Sequence, residues 1–133
     1  MSGEKEEHDQ TITVYEAVGG EPFFFALVDH FYEAVEADPA LRPSYPEDLT
    51  DSKRWLALFL IQYWGGPMTY DEHRGHPRLR MRHAPFVIGM TERNAWLRHM
   101  SAAVSVSDAP PEAKKLFDQY FEQASLAMIN QAM

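Results

Sequence analysis

The sequence predicts an all-α domain, and two observations lead to that prediction. In four separate stretches, apolar residues recur at intervals of three and four, which is the period of a helix with one buried face. No stretch shows the strict alternation of polar and apolar residues that is typical of a half-buried strand. With 133 residues, the chain has room for one hydrophobic core and is too short for two ordinary domains.

The first predicted helix follows a polar start. Residues 1–11 are acidic and lack an apolar run, which predicts a disordered tail. The domain is therefore expected to span residues 12–133. Its first long helix is predicted over 21–35, because Gly19-Gly20 and Pro22 are typical of a helix start and the apolar period begins there.

The other three long helices are marked by similar signals. The second is predicted over 51–64 with Thr50 or Asp51 as its N-cap, and the Gly-Gly-Pro that follows ends it. The third begins after Thr91, and the fourth follows Pro110-Pro111. The long connection over 65–90 is too long for a passive link between packed helices, so we expect function there.

Composition narrows the class of protein. The net charge of −8 disfavours nucleic acid as a partner. The absence of cysteine excludes a thiolate-ligated metal. No run of eighteen apolar residues occurs, so we expect no membrane insertion and a cytoplasmic location. The sequence leaves open whether the chain forms a homo-oligomer.

One segment, 74–86, concentrates unusual chemistry. It holds four of the twelve basic residues and two of the six histidines of the chain. In a short helix here, His83 would share a face with Leu79, while Arg78 and Arg82 would lie on a neighbouring edge. Arginines beside an inward imidazole suit a metal-centred anionic cofactor such as haem. From these residues alone, two alternatives are open. The histidine could be an ordinary core residue, and the arginines could form a solvated loop or a phosphate-binding patch.

Several motifs together resemble the group II truncated haemoglobins. They occur in the family's order from Thr13 to the C-terminus, and they are Tyr15-Glu-Ala-Val-Gly-Gly20, Phe31-Tyr32, Tyr45-Pro-Glu-Asp48, Tyr63-Trp-Gly-Gly-Pro67, Gly75-His-Pro-Arg-Leu-Arg-Met-Arg-His-Ala-Pro-Phe86 and Ala95-Trp-Leu97. The resemblance implies a two-over-two helical sandwich that encloses haem b between its helix pairs.

The resemblance also implies roles for particular residues. His83 would bind iron through Nε2 while its other nitrogen donates to a backbone carbonyl. Tyr32, Tyr45 and Trp96 would stabilise a bound ligand on the distal side, where each could donate a hydrogen bond. Ser52 would lie where other globins carry a distal histidine.

The remaining predicted cofactor contacts form two groups. The expected apolar wall consists of Leu56, Phe59, Leu60, Phe31, Val87 and Met128. The expected partners of the haem propionates are Arg82, Arg54 and Tyr70. Trp55 departs from the family pattern, because it stands where a basic residue often pairs with a propionate. Whether Trp55 or Arg54 meets a propionate is left open.

The resemblance implies tight binding of O₂, NO, CO or peroxide. Because a slowly released ligand makes poor cargo, we expect nitric oxide dioxygenase or peroxidase-like chemistry with an unidentified reductase rather than oxygen transport. A haem-based gas sensor and a non-haem helical interaction module are the alternatives.

Overall fold

A computed structural model describes residues 12–131, so the predicted tail over 1–11 lies outside the described residues. The described part contains helices and turns and no strand. Its helices are α1 (Val14–Ala17), α2 (Glu21–Glu36), α3 (Thr50–Tyr63), α4 (Thr69–Arg74), α5 (Leu79–His83), α6 (Met90–Val106) and α7 (Pro111–Ala127), with a 3-10 turn at Arg42–Ser44. The predicted all-α class is confirmed.

Four long helices form the body of the molecule in two pairs, α2 with α3 and α6 with α7. Helix α2 packs against α3 and α6, and α6 packs against α7, while the short α4 lies against α3. The core fills with large side chains that are fully buried, and these are Phe24, Phe31, Phe117, Phe121, Leu60, Ile61 and Met100. The apolar stripe that predicted α2 is the face that this core covers.

Two details at helix starts differ from the sequence prediction. Helix α3 takes Leu49 as its N-cap rather than Thr50 or Asp51. The capping carboxylate comes from further upstream, since Asp48 Oδ1 accepts from the Thr50 N–H at 2.9 Å. Helix α1, which was not predicted, begins with a reciprocal capping box between Thr13 and Glu16.

The connection over 65–90 is held to the helices by side-chain hydrogen bonds. The Gln62 side chain joins α3 to α4, because its amide donates to Asp71 Oδ1 and accepts from the Asp71 N–H, both at 2.9 Å. After α5, the Asn130 amide donates to the carbonyl of Phe86 at 2.7 Å and to that of His83 at 3.2 Å. Both ends of the segment that carries His83 are therefore attached to the helical body.

One histidine is partly buried where α6 meets the chain that follows α2. His99, on α6, lies 2.6 Å from Asp38 Oδ2, just after α2. That hydrogen bond and a second one from the Ala40 N–H hold the pKa of the Asp38 carboxyl below its usual range. The contact ties the chain that leads into the 3-10 turn to α6.

A search of the described residues for membrane spans finds no helix with both the length and the apolar composition that a bilayer crossing requires.

Candidate cofactor site

A cavity of about 600 Å³ opens between the two helix pairs. That volume is in the range of small-molecule and cofactor sites. Twelve of the fourteen predicted site residues line it, and they are Tyr32, Tyr45, Ser52, Leu56, Phe59, Leu60, Tyr70, Arg82, His83, Val87, Trp96 and Met128. The structure thus brings together, around one space, residues that are up to about a hundred positions apart in the sequence.

Two predicted residues are not part of the cavity wall. Phe31 is fully buried behind the wall, where its ring centroid lies 5.1 Å from that of Tyr32 and 5.2 Å from that of Trp96. It therefore supports two wall residues rather than facing the cavity. Arg54 is exposed, with its guanidinium 5.0 Å from the Trp55 ring centroid, on the solvent side of α3.

His83 reaches the cavity from the end of α5. Its Nδ1 lies 2.7 Å from the carbonyl oxygen of Leu79, one turn earlier. Because a carbonyl oxygen can only accept, Nδ1 carries the proton of the neutral ring, and in that tautomer Nε2 has a free lone pair. A neutral imidazole held in one orientation with Nε2 available is the form that binds metals.

Three aromatic side chains with polar groups share another part of the wall. The rings of Tyr32 and Tyr45 meet edge to face at 5.5 Å. Burial raises the pKa of Tyr45 to about 12, and a hydrogen bond with the Trp96 side chain partly opposes that rise. Burial, and then the nearby Tyr45, raise the pKa of Tyr32 still further. Both phenols therefore keep their protons at physiological pH and remain hydrogen-bond donors.

Three arginines line the cavity, and two of them are engaged with the protein. Arg82 donates from Nε to the Pro77 carbonyl at 2.8 Å and from its terminal nitrogen to the Arg74 carbonyl at 3.2 Å. Arg93, which is only 9% exposed, donates to Ser125 Oγ and to the Glu122 carbonyl, both at 3.0 Å. The third arginine, Arg74, has no hydrogen bond from its guanidinium to any described residue.

Sequence reasoning missed several wall residues. The most consequential are Arg74, Arg93, Tyr120, Phe121 and Ala124. The last three continue the apolar period of α7 toward Met128, so extending that face from the one predicted contact would have found them. Arg93 and Arg74 carried no such signal, because their placement depends on contacts with α7 and α3.

The residues present fit a haem. The wall is mostly apolar and aromatic, one imidazole offers a free Nε2, and cationic side chains stand among the lining residues. An iron porphyrin needs an axial ligand, apolar surroundings for its ring and cationic or polar partners for its two carboxylates.

Two pairs of helices packed as a sandwich, with such a histidine on the wall of the cavity between them, define a truncated globin. The model of the bacterial-like globin family matches residues 13–130. A group 2 truncated haemoglobin of Bacillus subtilis (strain 168) is 42% identical over 117 residues, which cover 88% of each chain. The chain belongs to the bacterial-like globins and, within them, to the group II truncated haemoglobins.

Solved structures agree with this assignment. The haemoglobin of Chloroflexus aurantiacus shares 54% identity and a TM-score of 0.89, over 91% of this chain and 100% of that one. A truncated haemoglobin of Bacillus subtilis shares 40% identity and a TM-score of 0.85, over 90% of this chain and all of that one. The predicted two-over-two fold is confirmed, and membership of the family makes this chain a haem-binding globin that binds diatomic ligands.

Proposed function

We propose that His83 is the axial ligand of haem b in this protein. The observation that carries the proposal is the 2.7 Å contact between His83 Nδ1 and the Leu79 carbonyl, which leaves the lone pair of Nε2 free to bind a metal at the cavity wall. The chain contains no cysteine, so it has no thiol for covalent attachment of the porphyrin. A non-covalent haem b is the form that these residues suit.

Haem, when bound, supplies an iron with one coordination position for a small diatomic ligand. The protein contributes hydrogen bonds to that ligand from the wall of Tyr32, Tyr45 and Trp96. These donors favour O₂, which gains negative charge on binding, over neutral CO. One solved relative, the truncated haemoglobin of Bacillus subtilis, is described as oxygen-avid, which is consistent with such a wall.

Tight oxygen binding favours a reactive role over transport. Each hydrogen bond to a charged acceptor contributes about 1.5–3 kcal/mol, so more than one donor makes release slow. We therefore assign the protein to oxygen chemistry with nitric oxide or to peroxide reduction, supported by an electron-donating reductase. In either reaction the apolar wall limits water and the phenols provide hydrogen bonds at the ligand.

The test is the variant His83→Ala, with His76→Ala as its matched control. His76 lies in the same segment, and its Nδ1 accepts from the Arg78 N–H at 3.2 Å, outside the cavity wall. We expect His83→Ala to lose tight haem binding and to regain it with added imidazole, whereas His76→Ala keeps the wild-type haem content. A normal haem content with a five-coordinate histidine spectrum in His83→Ala would refute the assignment.

A further inference from the structure

An aromatic and cationic cluster stands at the edge of the cavity. Trp55 on α3 and Tyr70 and Arg74 on α4 all line the cavity. The Arg74 guanidinium carbon is 5.0 Å from the Trp55 ring centroid and 5.8 Å from that of Tyr70. The two rings meet edge to face at 5.9 Å. Arg74 is thus held by two rings from two helices.

The other cationic groups in this region are less suited to an incoming anion. Arg82 and Arg93 each already donate two hydrogen bonds to protein oxygens, which fixes the direction of their guanidinium groups. Arg54 contacts the same indole as Arg74, also at 5.0 Å, but does not line the cavity. Among the described residues, Arg74 alone combines a position on the cavity wall with a guanidinium that has no hydrogen-bond or ion-pair partner.

The way Arg74 is held has a chemical consequence. A guanidinium attracted to the face of a ring still has its N–H groups along its edges, and two of them match the spacing of a carboxylate. Trp is the aromatic residue that attracts cations most strongly. Arg82 also holds the backbone of Arg74, because it donates to the Arg74 carbonyl at the end of α4.

We propose that Arg74, positioned by Trp55, is a carboxylate-binding site at the cavity edge and takes one haem propionate. This inference rests on the proposed function, since the propionate belongs to the haem that His83 would ligate. It gives one propionate a partner beyond the expected Arg82, Arg54 and Tyr70. It also gives Trp55 a role. Helix α3 carries no cation at that position, and the Trp55 indole instead holds the guanidinium of Arg74 from α4.

The experiment measures how fast ferric haem leaves the protein for an excess of haem-free myoglobin. Wild type, Arg74→Gln and Arg54→Gln are each loaded with protohaem and with its dimethyl ester, whose propionates are uncharged. We expect Arg74→Gln to speed the loss of protohaem about tenfold, because a charge-assisted hydrogen bond at a partly exposed rim is removed. The ester should leave both Arg74→Gln and wild type at the same rate. Arg54 contacts the same ring from outside the cavity, so Arg54→Gln should match wild type with both haems.

A further variant tests the role of Trp55. In Trp55→Leu we expect the difference between protohaem and its ester to shrink, because the guanidinium is no longer held. An unchanged protohaem rate in Arg74→Gln, or an equal acceleration with both haems, would overturn the proposal while leaving the proposed function intact. A wild-type chain that takes up neither haem would overturn both.

Discussion

Trp96 and Tyr45 form a pair in which each side chain has a defined direction of hydrogen bonding. An indole N–H can only donate, so in the hydrogen bond between them the Tyr45 oxygen accepts. Tyr45 then keeps its own O–H for a bound ligand. Because the pKa of Tyr45 is raised to about 12, that proton is retained throughout the physiological range. Trp96 therefore orients the Tyr45 hydroxyl, which is left as a donor for the ligand.

Replacing the indole should loosen the ligand. We expect Trp96→Phe to release O₂ several-fold to about a hundredfold faster, because the Tyr45 hydroxyl is no longer oriented and its hydrogen bond to a charged acceptor is weakened or lost. CO release should change little, because CO is a weak acceptor. The measurement is stopped-flow ligand release.

The matched control for that variant is Trp64→Phe. Trp64→Phe also removes an indole N–H, but Trp64 stands outside the cavity wall and its buried Nε1 has no hydrogen-bond partner among residues 12–131. Its release rates should equal those of wild type. If Trp96→Phe released O₂ at the wild-type rate, Trp96 would have no part in orienting the Tyr45 hydroxyl toward the ligand.

At the scale of elements, the end of α3 depends on the short helix α1. The Tyr15 N–H donates to the Trp64 carbonyl at 2.9 Å, and the glycines that follow α3 lie against α1. Gly65 has a φ of +108°, and a Cβ there would come within 2.6 Å of Thr13 Cβ. This close approach sets where the connection toward His83 begins.

Comparing two glycines with similar backbone angles distinguishes the cost of backbone strain from the cost of a steric overlap. Gly19 has a φ of +100° and no neighbour within 4 Å of an added Cβ. Gly19→Ala should therefore cost only backbone strain, about 1–2 kcal/mol. Gly65→Ala should cost about 1–3 kcal/mol more, because the methyl group overlaps Thr13. Denaturant unfolding of the two variants measures the difference, and equal losses of stability would mean that α1 does not pack against the turn as described.

The elements differ in how far the sequence could predict them. The long helices follow from their own apolar periods, and the position of His83 on the same face as Leu79 follows from the spacing of one turn. The site was predictable where a family motif marked it. Other features depend on chain segments that meet only after folding, as Arg74 does with Trp55 and His99 with Asp38. No local pattern in the sequence reports such a contact.

At the scale of the whole molecule, the net negative charge of the chain contrasts with the positive charge beside the cavity. The chain has a net charge of −8, yet four of its arginines fall in 74–82, beside the cavity that would hold a dianionic porphyrin. An acidic body with a local basic edge favours an anionic cofactor at that edge and disfavours it elsewhere. The apolar wall between the helix pairs then buries the porphyrin ring.

The most direct test of the central claim, a haem ligated by His83 with one position open to ligands, is the visible absorption spectrum of the purified wild-type chain. Spectra are recorded in the ferric state, after reduction with dithionite and after exposure to CO. The account predicts a Soret band in the ferric state, a five-coordinate histidine spectrum on reduction, and a shift of the Soret band with CO. A colourless protein that takes up no added haem, or a reduced spectrum that CO leaves unchanged, would contradict it.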